Sequence, residues 1–120
     1  MRIVVADDQL LVCAGVKALL EKSGTDEVVA SALDGQACLN AVELHRPDAL
    51  ILDLGMPRMD GFAVMAALRE RGVSATVIVL SAHTDAATCQ RALAAGARGY
   101  LSKDLLIDEL PVLAVAAALA

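Results

Sequence analysis

The sequence has very few aromatic side chains, with one Tyr, one Phe and no Trp among 120 residues. Because 58% of the residues are nevertheless hydrophobic, the core has to be built from aliphatic side chains and alanine. A chain of this composition is globular rather than disordered. Its length is that of one compact domain, so we assign residues 1–120 to a single domain.

The sequence also lacks the marks of a secreted, zinc-binding or membrane-spanning protein. Its three cysteines (Cys13, Cys38 and Cys89) are far apart and form no CxxC pair, which predicts reduced thiols. The longest uncharged apolar run, LPVLAVAAALA, is too short to cross a bilayer, and no apolar signal segment precedes the first strand-like run. These features predict a soluble cytoplasmic domain without membrane contact.

Basic residues are in the minority. Ten Lys and Arg stand against 15 Asp and Glu, so the formal net charge is -5. Affinity for nucleic acids comes mostly from basic contacts to phosphates. We therefore expect no direct nucleic-acid binding by this segment.

What the chain does contain is a regular alternation of short β-branched runs with stretches of helical spacing. In the first helical stretch one apolar stripe is predicted, at Val12, Val16, Leu19 and Leu20. Asp34 and Asp60 are expected to cap the second and third helices. The strand-like runs are IVVA (3–6), EVVASA (27–32), ALIL (49–52), TVIVL (76–80) and GYLS (99–102).

Apolar strands that alternate with helices indicate a doubly wound α/β domain, a parallel sheet covered on both faces. In such a sheet the loops that follow the carboxyl ends of the strands form the ligand crevice. The residues just past each strand are therefore the candidates for a functional site.

Those positions are occupied by acidic, hydroxyl and basic side chains. Asp7 and Asp8 follow the first strand, Asp53 the third, Ser81 the fourth and Lys103 the fifth. Each alone has an ordinary interpretation, such as a helix cap or a surface charge. Three carboxylates at one sheet edge repel each other unless a cation joins them, and oxygen ligands without His or thiolate favour Mg²⁺ or Mn²⁺. With a divalent ion and one ammonium the charges sum to zero, which leaves the site suited to a phosphate group.

The motifs around these positions resemble the receiver domain of bacterial two-component response regulators. They are DD (7–8), DLGMPRMDG around Asp53, LSAH with Ser81 and GYLSKD with Lys103, in order along the whole chain. The last two are most similar to the LuxR-type (NarL/FixJ) transcriptional regulators, so a helix-turn-helix output domain is expected in a full-length protein. The resemblance implies a flavodoxin-like, CheY-like fold with strand order 2-1-3-4-5 and five helices.

The resemblance also implies roles for the acidic residues. Asp53 would be the phosphoacceptor, taking a phosphoryl group from a sensor histidine kinase. Asp8 and Asp53, with the Gly55 backbone carbonyl and with help from Asp7, would hold Mg²⁺. The domain would be a signalling module rather than an enzyme, assisting its own phosphorylation and dephosphorylation.

Other positions receive implied roles in binding and switching. Ser81 and Lys103 would bind the phosphoryl oxygens. Ser81 would then shift toward the phosphoryl group and Tyr100 would turn inward, altering the face formed by the fourth helix, fifth strand and fifth helix. Gly55 and His83 would flank the path of the hydrolytic water and set the lifetime of the phosphate.

The first and last helices depart from the family pattern. LuxR-type members often carry His, Pro and Arg where this chain has Gln9, Leu10 and Cys13. We expect Leu10 and Cys13 on the exposed side of the first helix, beside the uncharged C-terminal run 110–120. Such an apolar surface predicts a homodimer or a contact with the output domain, although alanine-rich helices also occur without one.

The motifs also bear on three other classes of protein. A haloacid-dehalogenase-like phosphatase needs a second acid where this chain has Gly55, which disfavours it. A flavodoxin-like FMN protein needs a hydroxyl- and glycine-rich phosphate loop, where Asp7 and Asp8 would repel the phosphate. A phosphorylation-independent interaction module of the same fold stays open.

Overall fold

A computed structural model describes residues 1–22, 24–82 and 85–103, in which strands and helices alternate. All strand pairs are parallel, in the order β2-β1-β3-β4-β5, as expected. Four of the five expected helices lie within the described residues, and the fifth falls outside them. The elements are β1 (Arg2–Ala6), α1 (Leu10–Glu21), β2 (Glu27–Ala32), α2 (Gly35–His45), β3 (Ala49–Asp53), α3 (Gly61–Glu70), β4 (Thr76–Ser81), α4 (Ala86–Ala94) and β5 (Gly99–Ser102).

The central strand β3 is buried along its whole length, as expected for a parallel strand covered on both faces. Because successive side chains of a strand point to opposite faces, the strands divide their side chains between two cores. One core joins Leu50 and Leu52 to buried residues of α2 and α3. The other joins Ile51 to α1, through Val16 and Leu20. The sheet therefore has helices on both faces.

Helix α1 confirms the predicted apolar stripe and corrects one residue. Val16 and Leu20 are buried, while Val12 is partly buried against the same core. The prediction that Cys13 faces outward with Leu10 is wrong, because Cys13 is 1% exposed whereas Leu10 is 66% exposed. Positions 13, 16 and 20 share the inner face at helical spacing. The Cys13 thiol donates to the Asp7 carbonyl oxygen at 3.4 Å.

Aspartates cap three helices at the carboxyl edge of the sheet. The predicted caps are confirmed, since Asp34 accepts a hydrogen bond from the Ala37 amide and Asp60 accepts one from the Ala63 amide, both at 2.8 Å. A third cap, Asp85 at α4, was not predicted. These bonds satisfy helix amides that otherwise have no partner and fix where each helix begins.

All three cysteines are free thiols. Cys13 and Cys38 are buried, and burial raises the pKa of Cys38 to about 12. Cys89 on α4 is half-buried. Within residues 1–22, 24–82 and 85–103, no helix has the length and apolar character needed to span a membrane.

Candidate functional site

Three carboxylates meet where β1 and β3 end. Asp7 and Asp8 follow β1, and Asp53 is the last residue of β3. One carboxylate oxygen from each lies within 4.8 Å of the other two. Asp7 is 0% and Asp53 3% exposed, whereas Asp8 is exposed to solvent. The structure thus brings together the acids that the strand-end positions suggested, and it leaves an approach from the side of Asp8.

Lys103 supplies a positive charge within this cluster. It lies directly after β5, with its Nζ 2.8 Å from Asp7 Oδ2 and 3.3 Å from Asp53 Oδ2. Burial alone would lower the pKa of Lys103, but the two carboxylates outweigh burial and raise that pKa. Lys103 therefore stays an ammonium. Three carboxylates and one ammonium leave two negative charges, which matches a divalent cation.

The Asp53 carboxylate is incompletely compensated by its protein neighbours. Burial raises the pKa of Asp53, and the charge of Asp7 adds to this effect. Opposing it are the Gly55 amide, which donates to Asp53 Oδ1 at 3.2 Å, and the ammonium of Lys103. The net result is a carboxylate that a further cation would stabilise.

The backbone around Asp7 fixes the direction of its side chain. Asp7 Oδ1 accepts a hydrogen bond from the Gln9 amide at 2.8 Å, and the Asp7 amide donates to the Ala32 carbonyl at 3.0 Å. Its Oδ2 remains for the ion pair with Lys103. Asp7 is therefore held in the cluster both by hydrogen bonds to the backbone and by the ion pair with Lys103.

The loop between β3 and α3, residues 54–60, closes back onto Asp53. The Gly61 amide donates to the Leu54 carbonyl at 3.1 Å. A Cβ atom on Gly61 would lie only 2.6 Å from the Asp53 carbonyl oxygen, so glycine is required for this approach. Pro57 accepts a hydrogen bond from the Met59 amide at 2.7 Å inside the same loop. Pro57 and Gly61 therefore fix the course of this loop.

Ser81 and Tyr100 occupy the neighbouring strands. Ser81, the last residue of β4, is 2% exposed at the same edge as Asp53. The Tyr100 ring packs against the core that α2, α3 and α4 share, and its hydroxyl is buried. Burial raises the pKa of Tyr100, with Ser81 acting in the opposite direction and Cys89 adding to the rise. The nearness of Cys89 has no signal in the sequence. His83 lies outside the described residues.

Fold and site together define a class, a doubly wound parallel domain with a cluster of acidic residues at the carboxyl edge of its sheet and a lysine beside the acids. The chain belongs to the response regulator receiver domain family, whose model matches residues 3–114. The match covers the four described helices and, apart from Arg2, all five strands.

Similar proteins refine this assignment. "Probable transcriptional regulatory protein NarL" of Mycobacterium tuberculosis is 43% identical over 110 residues, which are 92% of this chain and 51% of that protein. The solved receiver domain of NarL from the same species is 39% identical with a TM-score of 0.89, covering 98% of this chain and 94% of that one. A LuxR-family response regulator from Aurantimonas sp. SI85-9A1 is 27% identical with a TM-score of 0.85, covering 98% and 85%.

These likenesses support a NarL-type receiver domain, as the LSAH and GYLSKD motifs suggested. The chain spans about half the length of the curated relatives it matches. The match therefore concerns the receiver domain and not the remaining half of those proteins.

Proposed function

We propose that residues 1–120 form the phosphoacceptor domain of a cytoplasmic two-component transcription regulator and that Asp53 is the phosphorylated residue. One observation carries the proposal. Asp53 ends a buried strand with Lys103 Nζ at 3.3 Å and with the carboxylates of Asp7 and Asp8 beside it. A rigid nucleophile beside a cation and an acidic ion site is the arrangement that phosphoryl transfer needs.

In the proposed reaction an Asp53 carboxylate oxygen forms a bond to phosphorus while the P–N bond to the kinase histidine breaks. The electron pair of that bond returns to the imidazole nitrogen, which leaves without the phosphoryl group. The strand holds Asp53 still, and the Gly55 amide directs Oδ1 at 3.2 Å. Positioning and charge neutralisation supply most of the catalysis in such transfers.

The donor set fits Mg²⁺, with Mn²⁺ as a substitute. Asp8, Asp53 and the Gly55 carbonyl would hold the ion, with Asp7 helping from below. All of these donors are oxygens, and the two surplus negative charges suit a divalent ion. When bound, the ion neutralises phosphoryl oxygens and aligns them for attack. The domain thereby assists its own phosphorylation and dephosphorylation without being an enzyme in its own right.

Ser81 and Lys103 are proposed to bind the phosphoryl oxygens. Lys103 already lies between two carboxylates, so a short movement brings its ammonium to a phosphoryl group on Asp53. A shift of Ser81 toward that group would alter the surroundings of the Tyr100 hydroxyl and so the face of α4 and β5, together with the expected fifth helix. His83 and Gly55 are proposed to set how quickly water removes the phosphate.

The proposed partners are a sensor histidine kinase and either a second copy of the chain or its own helix-turn-helix output domain. Support comes from the relatives, which are about twice as long and are named transcriptional regulatory proteins. DNA binding would belong to the output domain, in line with the net charge of -5 of this segment.

Intact-mass measurement after incubation with acetyl phosphate tests the assignment of Asp53. Wild-type protein with Mg²⁺ should gain one phosphate, and neither Asp53→Asn nor an EDTA-treated sample should gain it. Asp48→Asn is the matched control, because it makes the same change at the residue just before the opposite end of the strand. Equal labelling of Asp53→Asn contradicts the assignment, and an unlabelled wild type favours the phosphorylation-independent interaction module.

A further inference from the structure

The first turn of α2 lies directly against the loop that follows Asp53. Gly35 is buried, and a Cβ atom there would lie 2.2 Å from the Met59 carbonyl oxygen and 2.6 Å from Met59 Cβ. Cβ contacts below 3.0 Å are essentially never seen. Because the nearest atom belongs to the backbone, the chain itself would have to move to make room. Gly35 is therefore the residue of α2 against which this loop packs.

A second contact joins the same two segments. Asp34 caps α2 through Oδ1, and its Oδ2 lies 3.5 Å from a guanidinium nitrogen of Arg58. Arg58 has a φ of 68°, a left-handed conformation that is uncommon for residues other than glycine, so the loop bends sharply just before Met59. The exposed ion pair contributes little energy. It shows that the loop meets α2 at two adjacent residues.

The other side of the loop is attached to Asp53 itself. The Gly55 amide donates to Asp53 Oδ1 at 3.2 Å, and the Gly61 amide donates to the Leu54 carbonyl at 3.1 Å. The loop is thus a short bridge between Asp53 and Gly35. Leu54 and Met56 of the loop are buried in the core, where there is little free volume to absorb a displacement at Met59, so the displacement reaches the Asp53 end of the loop.

We propose that Gly35 is a positioning residue for the phosphoacceptor site. Because Gly35 has no side chain, the loop 54–60 can pack closely against α2. This contact keeps the Gly55 amide and carbonyl in place beside the Asp53 carboxylate. The inference rests on the proposed function, since it concerns the same metal and phosphoryl site. A methyl group at position 35 should therefore weaken metal binding, although Gly35 itself faces neither the metal nor the phosphoryl group.

The test compares Gly35→Ala with Gly15→Ala. Both positions are in helices, where alanine is intrinsically better than glycine by about 1 kcal/mol. A Cβ on Gly15 meets nothing within 4 Å. Isothermal titration with Mg²⁺ alone, without phosphodonor, should give wild-type affinity for Gly15→Ala. For Gly35→Ala the dissociation constant should rise by about tenfold or more, the usual effect of losing a group that orients metal ligands.

The outcomes separate this inference from the proposed function. A wild type that binds no Mg²⁺ overturns both. If wild type and Gly15→Ala bind Mg²⁺ and a folded Gly35→Ala binds it equally well, only the role of Gly35 is overturned. A lower thermal midpoint with unchanged Mg²⁺ affinity has the same meaning, because it shows a purely structural role.

A second comparison applies if Gly35→Ala does not fold. Met59→Gly removes the Cβ that a methyl group at position 35 would meet at 2.6 Å, but it leaves the carbonyl that the methyl group would meet at 2.2 Å. Because glycine at position 59 gives the backbone the freedom to move that carbonyl aside, the double variant Gly35→Ala/Met59→Gly should fold. Its displaced loop should bind Mg²⁺ more weakly than the loop of Met59→Gly alone. Equal affinities in these two proteins would overturn the inference.

Discussion

The ammonium of Lys103 lies 2.8 Å from Oδ2 of Asp7, a residue with no exposed surface. The same nitrogen lies 3.3 Å from Asp53 Oδ2, so one cation serves two buried carboxylates. A buried carboxylate without a counter-ion is costly. Without a divalent ion, Lys103 therefore neutralises part of the negative charge of these carboxylates.

The first prediction is that Lys103→Met destabilises the metal-free domain by roughly 1–3 kcal/mol, because it leaves the buried acids without their cation. Mg²⁺ should restore more stability to this variant than to the wild type, since the ion replaces the lost charge. Urea unfolding in EDTA and in Mg²⁺ measures both effects. Lys17→Met, an exposed lysine of α1, is the control. Equal stability of Lys103→Met and wild type in EDTA would contradict the prediction.

The second prediction concerns pH. Because burial raises the pKa of Asp53 above its ordinary value of 3.8, the folded domain holds this proton more tightly than the unfolded chain does. The resulting contribution to stability is full below 3.8 and is lost as pH rises through the folded pKa. At neutral pH without metal, Asp53→Asn should therefore be more stable than wild type.

The difference between Asp53→Asn and wild type should shrink as the pH is lowered toward 3.8. Thermal midpoints in EDTA across this range measure it, with Asp48→Asn as the matched change at the residue just before β3. Mg²⁺ should reverse the order at neutral pH, because the ion stabilises the state that binds it. A difference that is constant with pH, or an Asp53→Asn protein less stable than wild type in EDTA, would show that the charge of Asp53 does not destabilise the metal-free folded domain.

The order of the strands and the convergence of the acids could be predicted because both follow from local patterns. Apolar runs mark the strands, and the topology rule brings their carboxyl ends to one edge. Asp7 and Asp53 could therefore be placed together without any coordinates. The outward position predicted for Cys13 is wrong because a stripe through Val12 and Val16 leaves it out, whereas the buried face runs through positions 13, 16 and 20.

Contacts between loops could not be predicted in this way. The close contact between Met59 and Gly35 depends on how α2 and the loop after β3 approach each other. Nothing in the sequence near either residue signals the short distance between them. The pairing of Lys103 with Asp7 as well as Asp53 is of the same kind. Such relationships belong to the packing of whole elements rather than to the sequence of any one of them.

The third prediction concerns the attachment of α4 to α3. The guanidinium carbon of Arg91 lies 3.8 Å from the centre of the Phe62 ring, and Ala92 is the one fully buried residue of α4. A cation–π contact at an exposed site contributes about 0.5–1 kcal/mol. A double-mutant cycle with Arg91→Gln and Phe62→Leu, followed by urea unfolding, should give a coupling energy of that size. Strictly additive effects would show that the two side chains are neighbours without mutual stabilisation.

The last prediction concerns self-association. The run LPVLAVAAALA at 110–120 carries no charge, and it lies outside the described residues. On α1, Leu10 and Leu11 are 66% and 87% exposed, so apolar surface is also available there. Contiguous apolar surface commonly marks a partner site. We expect the domain to self-associate through the C-terminal run, with α1 or β5 alongside, and more strongly when phosphorylated. Light scattering over a concentration series, with and without acetyl phosphate, measures this for wild type, Val112→Glu and Val115→Glu. The charged variants should stay monomeric, and a wild type that is monomeric under every condition would leave alanine's helix preference as the explanation of the run.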